Sequence, residues 1–84
     1  MSTKFLIKRI YKIGELLALA GEVKSGVIKE GDTGTTWENK RFTVVKIETK
    51  DGSIPTASSS QEVTLIVKGI LRKDLASGDT LYIE

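Results

Sequence analysis

At 84 residues the chain has room for one domain, of a size that buries only about 60% of its unfolded surface, so it holds neither a second lobe nor an elaborate active-site cleft. Cys and His are both absent, which removes disulfides, thiolate ligands, thiol nucleophiles, the commonest metal ligand and the commonest general base together. Thirteen Lys and Arg against eleven Asp and Glu leave a net charge of +2, with a sequence pI near 9.0, an excess that favours RNA only slightly over a protein partner.

The first element runs from Lys4 to Ile13. Phe5 and Ile7 share one parity and Ile10, Tyr11 and Ile13 break it, so the expectation is a strand with a bulge near Lys8-Arg9-Ile10. Leu17, Leu19, Gly21 and Val23 then alternate with Ala18, Ala20, Glu22 and Lys24, a half-buried strand. Leu16 to Ala20 is rich in helix formers, but the flanking glycines leave a window too short for a stable helix, and strand is favoured. Gly31-Asp32-Thr33 and Gly78-Asp79-Thr80 both place Gly-Asp-Thr at a strand edge. Glycine reaches φ > 0 without a Cβ clash and the Asp side chain hydrogen-bonds nearby backbone, so each reads as a tight turn that launches a strand. The contexts of the two turns are too dissimilar to argue for an internal repeat.

Phe42 to Glu48 is β-branched and aromatic enough to be a strand, and Val63, Leu65 and Val67 alternate with Thr64, Ile66 and Lys68 in another. Between them, Asp51 to Ser60 is the longest turn-rich stretch and is expected to be the most mobile loop. Arg72 to Ser77 holds at most one helical turn, and Leu81 with Ile83 forms a last short strand. Val23, Val45, Ile47, Val63, Leu65, Val67 and Leu81 are expected to face one core. Short strands, turn signals and no convincing helix point to an all-β sandwich or barrel. No apolar run reaches bilayer length and no secretory leader is present, so the expected setting is soluble and cytoplasmic with no membrane contact, Met1-Ser2-Thr3-Lys4 reading as a native start.

The order Phe5-x-Ile7, Tyr11-x-Ile13-Gly14, Gly21-x-Val23-x-x-Gly26-x-Ile28-x-x-Gly31-Asp32, then Val63-x-Leu65-x-Val67-x-Gly69-Ile70, Asp74 and Gly78-Asp79-x-Leu81 resembles the second domain of elongation factor Tu and other translational GTPases. The resemblance spans nearly all of residues 1–84, here a single domain. It implies a closed six-stranded Greek-key β-barrel of the reductase, isomerase and elongation factor type. In that family the barrel packs against the GTPase domain and touches tRNA or ribosomal RNA, so the resemblance implies translation-linked binding of RNA or of a ribosomal or other ribonucleoprotein surface. Leu16 stands where the family usually has the second glycine of a Gly-x-Gly turn, a departure in any ligand surface built from that turn.

Nucleotide chemistry is not expected. Gly21 to Gly26 and Gly26 to Gly31 have the spacing of a phosphate-binding loop, but Val27-Ile28 and Asp32-Thr33 follow instead of Lys and Ser or Thr, so these glycines read as turns and close strand packing. Asp32, Asp51, Asp74 and Asp79 fall on separate turns, where turn-making is the ordinary role of a carboxylate. The expectation is therefore a non-enzymatic binding module with no cofactor, metal or bound nucleotide.

Its candidate surface is Trp37, Lys40, Arg41, Lys68, Ile70, Arg72 and Lys73. Lys40-Arg41, Lys68 and Arg72-Lys73 form a basic patch if the segments before Phe42 and after Val67 meet, and otherwise a scattered, solubilising set interleaved with Glu38, Glu48, Glu62 and Asp74. Trp37, in a polar stretch, reads either as a base-stacking or partner-anchoring ring or, the favoured reading, as a plug at a barrel end. Ile66, Ile70 and Leu71 read as an apolar strip outside the core. The competing class to RNA binding is a protein-interaction barrel that docks on a partner protein or enzyme, and the residues leave the oligomeric state open.

Overall fold

Alternation is the organising rule of the chain, and the computed structural model, which describes residues 3–83, turns it into nine strands. These are β1 (Thr3–Ile13), β2 (Leu16–Ser25), β3 (Val27–Lys29), β4 (Thr33–Thr35), β5 (Arg41–Thr49), β6 (Gly52–Ile54), β7 (Thr56–Ser58), β8 (Glu62–Lys68) and β9 (Thr80–Ile83), with a 3-10 turn at Arg72–Asp74. Neighbours run in the order β4, β9, β1, β2, β8, β5, and β5 pairs back onto β4, so six antiparallel strands close on themselves in a Greek-key barrel. Closure leaves no edge in the main ring, which is how so short a chain avoids exposing unpaired backbone. The expected mobile loop over residues 51–60 is instead structured: β6 forms a hairpin with β5, and β7 pairs with β3 as a separate two-stranded ribbon. Short three-residue strands leave too little periodicity for sequence to reveal them.

Inside the barrel, Phe5, Ile7, Leu19, Ile47, Leu65, Val67 and Leu81 are fully inaccessible. Gly21 is part of this packing, because a Cβ there would run into the Leu6 carbonyl and the Phe5 ring on the neighbouring strand. β1 shifts register between Ile7 and Arg9, as its broken parity predicts, so Phe5 and Ile7 face inward before the shift and Ile10 packs against the core after it. A second shift, between Val44 and Lys46, corrects the expected core. It sets Val44 and Ile47 inside and turns Val45 out, 41% exposed, because two residues of β5 there oppose one of β8.

Three corners of the barrel use one hydrogen-bonding device on three dissimilar sequences. In Lys29–Asp32, Ser58–Gln61 and Ala76–Asp79 the fourth residue's N–H donates to the first residue's carbonyl at 3.1 Å. Its side-chain oxygen in turn accepts the first residue's N–H, at 2.8 Å for Asp32, 2.7 Å for Gln61 and 3.0 Å for Asp79. The third residue of each turn has positive φ: Gly31 at 89°, Ser60 at 75° and Gly78 at 93°. Each turn then exchanges two backbone hydrogen bonds with one strand residue, respectively Val44, Val23 and Ile7. All three of those residues border a register shift, where the ladder leaves an N–H and a C=O that the turn satisfies.

Candidate nucleic-acid interface

Residues paired across antiparallel strands share a face, so the ladder registers define the barrel's outer surface. Leu81 and Ile83 are core residues, which turns Tyr82 outward. Tyr82 is 41% exposed and pairs with Lys4 on one side and Thr35 on the other, and Thr35 pairs with Arg41. Lys4, Tyr82, Thr35 and Arg41 therefore form one row across β1, β9, β4 and β5. The next row is Thr33, Thr43 and Lys68. Between the rows, Arg41 and Lys68 line a cleft of about 240 Å³ with Thr33, Phe42, Thr43 and Gly69. Lys4, Lys40 and Lys68 are exposed and make no ion pair among the described residues.

Trp37 stands at the end of β4, 65% exposed. It does not plug the barrel. The inward position is taken by the preceding residue, Thr36, which is 3% exposed and ties the tip together. Its Oγ1 accepts the N–H groups of Glu38 and Lys40 at 3.2 Å each, its own N–H donates to the Lys40 carbonyl at 2.9 Å, and Asn39 takes the positive φ that closes the loop. The indole is thus presented by a fastened turn rather than by a slack loop.

Of the candidate residues read from sequence, Arg41 and Lys68 share the cleft, with Lys40 and Trp37 on the adjoining tip. Arg72 and Lys73 are exposed on the 3-10 turn and do not line the cleft; the Arg72 guanidinium donates from Nη1 to the Leu75 carbonyl at 3.0 Å. Ile70 is corrected. At 7% exposure it belongs to the core with Leu75, because the chain between β8 and β9 folds these two side chains inward on either side of the 3-10 turn. Ile66 is likewise only 7% exposed, whereas Leu71 is 60% exposed. Tyr82 and Lys4 were missed by sequence reasoning, although Thr-Leu-Tyr-Ile carries the signal: an aromatic at the outward parity between two core residues.

The outer face of β1, β2, β8 and β5 carries a second concavity, a groove of about 660 Å³ over Ala18, Ala20, Thr64 and Ile66 with Tyr11 and Ile13 at its rim. Lys8 bridges Glu62 and Glu22 along its margin at 3.1 and 3.8 Å. The carboxylates of Asp32, Asp74 and Asp79 are each engaged by a backbone N–H of their own turn. Among the described residues no group of three or more His, Cys, Asp or Glu gathers to hold a metal ion, and no helix is long and apolar enough to cross a membrane.

No protein-family profile matches the chain. It is 38% identical over 63 residues to sulfate adenylyltransferase subunit 1 of Photobacterium profundum, a stretch covering 74% of this chain and 13% of that protein. Among solved structures, translation elongation factor SelB from Methanococcus maripaludis superposes with a TM-score of 0.89 at 21% identity, over 98% of this chain and 18% of that one. GDP-bound aIF5B from Aeropyrum pernix gives 0.87 at 22% identity, over 98% of this chain and 14% of that one. The chain thus spans less than a fifth of the proteins it matches. What these likenesses define is a fold: the closed six-stranded barrel carried by translational GTPases, as the sequence resemblance implied.

Proposed function

We propose that this barrel is a non-enzymatic RNA-binding module that engages ribosomal or other ribonucleoprotein RNA in the cytoplasm. The observation that carries the reading is the outer row across β1, β9, β4 and β5, where exposed Tyr82 lies between Lys4 and Arg41, with exposed Trp37 and Lys40 on the adjoining β4–β5 tip and Lys68 at the end of β8 beside Arg41. Lysine and arginine supply phosphate contacts and aromatic rings supply stacking surface, the two ingredients of RNA recognition by a sheet. The translation factors that share the fold support the same direction. The use of three aspartates in turns supports a binding rather than a catalytic role.

The test is the salt dependence of binding to fluorescently labelled ribosomal RNA fragments. Each phosphate contact contributes about −0.7 to −0.9 to the slope of log K against log salt, so four cations predict a slope of roughly −3. Lys4, Lys40 and Lys68 replaced together by Gln should flatten that slope to near −1 and abolish most binding. Absence of binding, or affinity indifferent to salt and to these substitutions, counts against the proposal. The competing protein-docking reading draws on the groove beneath Tyr11 and Ile13, and Ile70, being buried, has no part in it. A protein captured without RNA, insensitive to salt and lost on Tyr11→Ala, would establish that reading instead.

A further inference from the structure

Resting on the RNA-binding reading, we infer that the face selects single-stranded RNA, with Tyr82 and Trp37 each stacking on an unpaired base while Lys4, Lys40 and Lys68 hold the flanking phosphates. The geometry that points there is the placement of the Tyr82 ring between charges, with the exposed Trp37 ring on the adjoining tip. Tyr82 sits in the middle of a row, with Lys4 one strand away and Arg41 two strands away on the other side. Three inter-strand steps make that row about 14 Å long. A polynucleotide crossing the strands meets cation, ring, hydroxyl and cation in turn. In an A-form duplex the bases are stacked on one another and no base face is open to a side chain, so two exposed rings gain nothing from a duplex that a lysine does not already supply. An unpaired strand can splay its bases onto both rings and keep its phosphates on the lysines. Thr36 holds the tip that carries Trp37, so little ordering cost remains to be met on binding. Of the nearby carboxylates, Asp32 is engaged by the Lys29 N–H, and Glu38 is exposed on the tip beside Trp37.

Trp37 is the sole tryptophan, so its emission reports on its own face. The probes are an unstructured RNA of about 12 nucleotides, within the site sizes of single-strand-binding folds, and the same strand annealed to its complement. The single strand should quench Trp37 emission and bind at least about fivefold tighter than the duplex, since stacking on one ring alone is worth that much. By anisotropy of labelled RNA, Tyr82→Thr and Trp37→Ala should each weaken single-strand binding by about 5- to 150-fold and leave duplex binding within about twofold. Thr retains strand propensity at position 82 and Trp37 is a surface residue, so the two substitutions fail independently if folding intervenes. Duplex bound as tightly as the single strand, or both aromatic substitutions neutral while the lysine substitutions still weaken binding, would overturn the single-strand inference and leave RNA binding standing. No binding of either RNA overturns both.

Discussion

Ser60 occupies the place in its corner turn that glycine occupies in the other two, and this predicts opposite effects for reciprocal substitutions. At Gly31 and Gly78 a Cβ would meet nothing within 4 Å, so Gly→Ala changes the backbone energy and little else. With φ near 90°, an L-residue there costs about 1–3 kcal/mol, and the lower entropy of the unfolded chain returns about 0.4–1 kcal/mol. The net expectation for Gly31→Ala or Gly78→Ala is a loss of about 1–2 kcal/mol. Ser60→Gly runs the other way: at φ 75° it relieves about 1–2 kcal/mol of strain and returns part of that as unfolded-state entropy, for a gain of up to about 1 kcal/mol. Urea unfolding with a common m-value reads both directly, and on a domain of this size each kcal/mol moves Tm by about 4–8 °C. Neutral Gly31→Ala and Gly78→Ala, or a destabilising Ser60→Gly, would refute the equivalence of the three corners.

Gly21→Ala drives a Cβ into the Leu6 carbonyl, and thermal unfolding should show a loss of about 3 kcal/mol or more, since the obstacle is backbone. Val45→Lys should stay within about 0.5 kcal/mol of the parent in chemical unfolding, while Val44→Lys, one residue away but fully buried, should cost about 4 kcal/mol or more. Ile70→Ala should cost about 2–5 kcal/mol by the same measurement, as a core truncation rather than the loss of a surface contact. Calorimetric titration with GTP should give no saturable binding in the micromolar range, because neither glycine-spaced segment is followed by the lysine that a phosphate loop needs.

What the sequence determined by itself is whatever depends on neighbours in the chain. Gly-Asp turns, the alternation of Leu17 to Val23 and of Val63 to Val67, and the parity break after Ile7 are local statements about φ, ψ and side-chain direction, and each appears in the barrel where the residues put it. Val45 and Ile70 failed for a common reason: the direction of a side chain beyond a bulge or in an irregular connection depends on which strand or cavity lies opposite. Thr36 rather than Trp37 takes the inward position because a hydroxyl that can satisfy two tip N–H groups uses it better than an indole can. Three-fold use of one corner device was invisible because Lys-Glu-Gly-Asp, Ser-Ser-Ser-Gln and Ala-Ser-Gly-Asp share only a positive φ and a side-chain acceptor. The candidate interface was half legible. Trp37, Lys40, Arg41 and Lys68 stood out by composition, but the row from Lys4 through Tyr82 and Thr35 to Arg41 joins the first strand, the last strand and the β4–β5 hairpin, and only the register of the closed barrel brings them side by side.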